Sequence, residues 1–182
     1  RHQSTTRADM AIWEADETGR LKLNPLAHWS KDDINAYFMG WDRTGMLSSN
    51  GVTIHHPQGD IKKISTYDNE LVSATYTNGG NIGSVGGSWE VFWSETANGH
   101  GVTEGGSSGS PLYSQDGYLI GTLTGGYAAC SNLTAEDYYG KFSFQWDKNG
   151  AAIDTQLKPW LDPNNTGVEV LTGITVGIEE NI

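Results

Sequence analysis

Only one cysteine, Cys130, occurs among 182 residues. A single thiol cannot build an internal disulfide framework, and with five scattered histidines it offers no zinc-ligand spacing. His55 and His56 are neighbours that on a strand face opposite sides, so they cannot readily share a metal. Bases are few: 11 Lys and Arg stand against 22 Asp and Glu, for a formal net charge of -11. That balance argues against nucleic acid or phosphate as partner, and for solubility or a cationic substrate. Apolar runs stay well below the roughly 20 residues that cross a bilayer, so membrane insertion is not expected. No signal-peptide pattern opens the chain, and Arg1 is expected to be a mature end or an internal cut. With five prolines against 24 glycines, the composition also excludes a proline-rich disordered chain.

The glycines and the aromatics (Trp 7, Tyr 8, Phe 4) suit a compact β-rich protein with many turns. A chain of this length makes one large or two small domains and buries roughly 70% of its unfolded surface. Two-residue periodicity predicts strands over 10–15, 36–41, 52–56, 61–66, 71–77, 89–94, 112–114, 118–124 and 141–146. Turn signals such as Asn50-Gly51 and Lys148-Asn149-Gly150 separate them, and Asp116-Gly117 marks the clearest hairpin. One late helix is expected near 154–161, with Asp154 capping its first turn and Pro159 limiting its regularity. Many short strands and a single helix predict an all-β barrel or sandwich. Residues 172–182 read as an extended tail or linker.

One stretch departs from this pattern. Between Gly99 and Gly109 stand five glycines and no large hydrophobe apart from Val102. A phosphate cradle is poorly supported, because no Lys-Ser/Thr pair follows the glycines. Two readings remain: a flexible loop, or a loop whose backbone N–H groups converge around Ser108. Cys130 is equally open, either as a buried thiol or as a half-cystine paired with another polypeptide.

The run Glu104-Gly105-Gly106-Ser107-Ser108-Gly109-Ser110-Pro111 resembles the nucleophile loop of chymotrypsin-fold serine proteases, in the variant found in bacterial lysyl endopeptidases. Ala8-Asp9-Met10-Ala11-Ile12 is similar to that family's catalytic-aspartate strand. Ala36-Tyr37-Phe38-Met39-Gly40-Trp41-Asp42 and Ile54-His55-His56-Pro57-Gln58-Gly59-Asp60-Ile61 resemble its central strands. Asp137-Tyr138-Tyr139-Gly140-Lys141-Phe142 resembles its last strand, and Leu157-Lys158-Pro159-Trp160-Leu161 its terminal helix. The likeness extends over nearly all of residues 8 to 173. It implies a chymotrypsin-like double β-barrel with a C-terminal helix, the first barrel being incomplete in this chain. Residues 1–80 are then the remainder of the first barrel, carrying the catalytic Asp, and residues 81–171 the second.

The implied chemistry is acyl transfer, in which a serine hydroxyl needs an imidazole base and the imidazole an orienting carboxylate. By resemblance Ser108 is the nucleophile and Asp9 the carboxylate, which otherwise reads as a surface acid beside a strand. The N–H groups of Gly106 and Ser108 form the oxyanion hole. Asp137, otherwise a helix or turn cap, receives the substrate's lysine ammonium, and Glu104 lines the same pocket. Leu123, Thr124, Gly125 and Gly126 offer strand-like backbone to the substrate. Thr124 stands where the family can carry a histidine, which leaves selection against Arg open. No cofactor is implied.

The base is missing. In this fold the histidine precedes the aspartate, and none of His2, His28, His55, His56 and His100 has the family's setting. The resemblance therefore implies an N-terminal chain, cut from the same precursor, that supplies the histidine and pairs its cysteine with Cys130. Without it the first barrel would expose unpaired strand edges. Family members are exported, so a secreted or cell-surface bacterial location is expected, and residues 177–182 resemble a linker before a sorting domain. A protease-derived binding or assembly subunit without catalysis is the alternative, and a plain β-barrel adhesin a weaker one.

Overall fold

The computed structural model describes residues 13–15, 21–23, 36–78 and 81–176. Its main sheet has nine strands: β1 (Trp41–Asp42), β2 (Gly51–His55), β3 (Lys63–Tyr67), β4 (Val72–Ala74), β5 (Ser88–Phe92), β6 (Pro111–Ser114), β7 (Leu119–Gly126), β8 (Glu136–Lys141) and β9 (Val170–Leu171). The order is β3-β2-β6-β7-β8-β5-β4, antiparallel throughout. β1 joins β7 in parallel through Leu119 and Trp41, and β9 pairs with β1. The fold is all-β, as the pattern predicts. Among the described residues no pairing closes the sheet into a barrel. The sheet also unites β2–β4 with β5–β8, across the position near 80 where the two barrels were expected to meet.

Alternation explains which side chains turn inward. On β5 these are Trp89 and Val91, continued by Trp93; on β8 they are Asp137, Tyr139 and Lys141. Trp89, Val91, Trp93 and Tyr139 form the core with Tyr67, Leu71, Leu112, Ile120 and Leu123. On β2 the inward positions are Thr53 and His55, two polar residues in a buried line. Full burial of a polar group requires hydrogen-bonding partners, and both have them.

Three sequence expectations need correction. The strand predicted over 141–146 is instead helix α1 (Phe142–Asp147), because Phe142 and Trp146 are four residues apart on one helical face. Both pack on Trp41, with ring centroids 5.5 and 4.9 Å away. The strand over 36–41 is interrupted: Ala36–Phe38 pairs with Ile174–Val176, while Trp41 belongs to β1. The late helix is two short turns, a 3-10 turn at Ile153–Thr155 and α2 (Lys158–Leu161), and Asp154 lies inside the first turn without capping it. Pro159 falls in the first turn of α2, where its missing N–H costs nothing. No helix among the described residues is long and apolar enough to cross a membrane.

Candidate active site

The glycine-rich loop connects the strand Gly99–His100 to β6 and is a framed structure. Ser107 N–H donates to Glu104 O (3.0 Å), Ser110 N–H to Ser107 O (3.0 Å), and Gly109 N–H to Leu123 O (2.9 Å). Leu123 N–H returns a bond to Ser110 O, and Gln58 N–H holds Gly105 O at 2.7 Å. Gly106 has φ 98°, a conformation that glycine adopts without strain. A Cβ there would also meet His56 O at 3.1 Å. The Gly106 amide has no acceptor among the described residues. Ser108 is exposed at the apex, whereas Ser107 beside it is fully buried.

Below the loop lies His55. Its Nδ1 is 2.8 Å from Ser107 Oγ and its Nε2 is 2.9 Å from Ser65 Oγ. Burial, with a smaller effect from His56, lowers its pKa to about 4, so the imidazole is neutral near pH 7. Thr53, two residues earlier on the same face, donates to Pro111 O at 2.7 Å. Neither residue stands out in the sequence as functional, although a polar pair on the inward line of a strand signals a buried network.

Asp137 is 1% exposed on β8. Its Oδ2 accepts from Trp93 Nε1 and Thr103 Oγ1, both at 2.6 Å, and its Oδ1 from Ala128 N–H at 3.4 Å. Burial raises its pKa above the usual carboxylate value, and these hydrogen bonds oppose the rise. No cation faces it among the described residues. The backbone of Gly126 presses on this carboxylate, since a Cβ there would lie 2.0 Å from Oδ1. Beside it Tyr76 covers Gly125 and stacks on Tyr138, with centroids 4.8 Å apart. Trp93, Thr103 and Tyr76 are further residues that the sequence pattern does not single out.

Glu104 turns its carboxylate to the next loop, where Oε1 accepts from Cys130 N–H at 3.0 Å. Cys130 is exposed, contrary to the buried-thiol reading, and Glu104 pushes its pKa up. Glu104 and Cys130 also line a cavity of about 540 Å³ with Lys62, Lys63, Ser65 and His100. Thr124–Gly126 extend β7 beyond the end of β6, so no strand pairs with them on that side among the described residues. No cluster of three metal-ligating side chains occurs among the described residues. Asp9, His2 and His28 lie outside them.

Comparison with known proteins agrees with this arrangement: the family model for the lysyl endopeptidase C-terminal domain matches residues 2–140. The chain belongs to that family. A lysyl endopeptidase of Pseudomonas aeruginosa is 35% identical over 114 residues, covering 59% of this chain and 22% of its own length. The chain thus spans about a fifth of that relative. Within the lysyl endopeptidase match fall the Ser108 loop, β7 and Asp137, while α1 and α2 lie beyond it.

Proposed function

We propose that this chain carries the nucleophile and the specificity pocket of a secreted bacterial serine endopeptidase that cleaves after basic residues, with lysine preferred. The observation that carries this reading is Asp137, a buried carboxylate held by neutral donors with no cation against it among the described residues. A lysine ammonium would be its missing partner. An uncharged side chain would leave the carboxylate buried and unpaired, which makes the pocket selective by charge. Glu104 gives the pocket mouth a second negative charge, and the free edge of Thr124–Gly126, next to Leu123, pairs with the substrate backbone.

In the reaction, the Ser108 hydroxyl adds to the carbonyl carbon while an imidazole oriented by Asp9 takes its proton. The N–H groups of Gly106 and Ser108 stabilise the resulting oxyanion, and loss of one such donor costs roughly 100- to 1,000-fold in rate. The imidazolium then protonates the departing amine, and water hydrolyses the acyl ester by the reverse sequence. The histidine is supplied by an N-terminal chain of the same precursor, joined through a disulfide at Cys130. Cleavage-site profiling of a denatured protein by the assembled protease tests the proposal. Cuts after basic residues, chiefly lysine, are expected; cuts after apolar residues overturn the acidic pocket, and no cuts favour the binding subunit.

A further inference from the structure

We propose that His55 is a positioning residue, holding Ser107 so that the neighbouring Ser108 hydroxyl and Gly106 amide keep their places. The inference rests on the reading of Ser108 as the nucleophile. His55 spans the gap between the loop and β3: Ser107 Oγ on one nitrogen, Ser65 Oγ on the other, all three residues buried. Glu104 N–H points to Ser107 Oγ at 3.4 Å. One proton arrangement serves all of these groups: Ser107 Oγ accepts from Glu104 N–H and donates to Nδ1, and Nε2–H donates to Ser65 Oγ.

The far end of the relay is fixed as well. Gly101 crosses so close to Ser65 that a Cβ at 101 would lie 2.6 Å from Ser65 Oγ, so the segment entering the loop rests on the relay's anchor. On the other side of Ser108, Thr53 donates to Pro111 O and lies 3.4 Å from Ser110 Oγ. Two inward residues of one strand therefore grip the loop at 107 and at 110–111, one on each side of the exposed Ser108. Stability alone does not call for this relay, because replacing a buried polar group together with its partners by apolar side chains of similar volume is often nearly neutral. What an apolar side chain cannot do is fix the direction of the Ser107 side chain.

The test uses the assembled protease with His55→Leu, His55→Gln, Ser107→Ala and the His55→Leu/Ser107→Ala double variant. Three quantities are read: kcat and KM on a lysyl peptide, the rate of Ser108 labelling by a fluorophosphonate, and the melting temperature. Misplacement of a reacting group by about 1 Å costs on the order of 100-fold. His55→Leu is expected to lose about 10- to 100-fold in kcat and in labelling rate, with KM changed less than about twofold. His55→Gln, which keeps one hydrogen bond, recovers part of the loss. The double variant is no worse than His55→Leu, because both changes break one relay. A folded His55→Leu with wild-type kcat overturns the inference. If that variant does not fold, a folded Ser107→Ala with wild-type kcat overturns it instead. A wild type that takes no label overturns the nucleophile reading itself, whereas a labelled wild type with unchanged variants removes only the role of His55.

Discussion

Asp137→Asn should separate binding of the substrate's charge from the structural part that this residue plays. Asp137 Oδ2 accepts both 2.6 Å bonds, from Trp93 and Thr103, and an amide oxygen in its place keeps them. The amide nitrogen then faces Ala128 N–H across the weaker 3.4 Å contact. The variant therefore loses the negative charge and little else. Removing one member of a buried, hydrogen-bonded charge pair costs about 2–5 kcal/mol, or roughly 30- to 5,000-fold in kcat/KM. The assay compares kcat/KM for a lysyl peptide and for the same peptide with an uncharged P1 residue of similar length. The lysyl substrate should fall by that factor and the uncharged one should hold or improve. The unliganded variant should melt higher at neutral pH, because burial raises the native carboxyl pKa and the ionised form opposes folding. That gain should shrink as pH falls through the native pKa and be gone below the ordinary carboxyl value of 3.8, where the wild-type group is neutral in both states. A lysyl kcat/KM lowered by less than about threefold would refute the assignment of Asp137 as the cation's partner.

Three further outcomes are expected. The pKa of His55 is lowered from 6.5 to about 4, so the unfolded chain binds the extra proton first as pH falls. Its contribution to stability should be complete above pH 6.5 and decline by about 3 kcal/mol on going down to pH 4, a slope that denaturant titration should find reduced in His55→Leu. Gly126→Ala would set a methyl group 2.0 Å from Asp137 Oδ1, so a drop of about 1–3 kcal/mol in stability and a higher KM for lysyl peptides should follow. Intact mass of the assembled protein should show a second polypeptide that leaves on reduction and is absent when Cys130 is replaced by Ser; a mass unchanged by reductant removes the interchain disulfide.

How much of this was legible depends on how local the cause is. The alternation over 89–94 predicts a strand, found as β5 at Ser88–Phe92, and Trp89 and Val91 on one face of it, continued by Trp93, are buried. The glycine cluster marks a framed loop, because φ of 98° at Gly106 and 83° at Gly109 are local requirements. The segment after Lys141 misleads because Phe-Ser-Phe-Gln-Trp satisfies both the strand period and an i, i+4 helical pair; contact with the distant Trp41 decides the outcome. The break near Gly40 is equally non-local, since a Cβ there would meet Leu171 O at 2.1 Å. For the site, Ser108, Asp137 and Glu104 were reached through family resemblance. The partners that define Asp137 come from Trp93 and Thr103, 44 and 34 residues away, and no periodicity brings them together. His55 looked like one of several unsuitable bases, and only its contacts on both ring nitrogens reveal its setting.

The central claim is that the hydroxyl at 108 becomes a nucleophile once an imidazole from a companion polypeptide reaches it. The most direct measurement is fluorophosphonate labelling followed by peptide mapping, on the two-chain assembly and on this chain alone. The account predicts one phosphonyl group, on Ser108, in the assembly and none on the isolated chain. An unlabelled assembly, or label on any other residue, would contradict it.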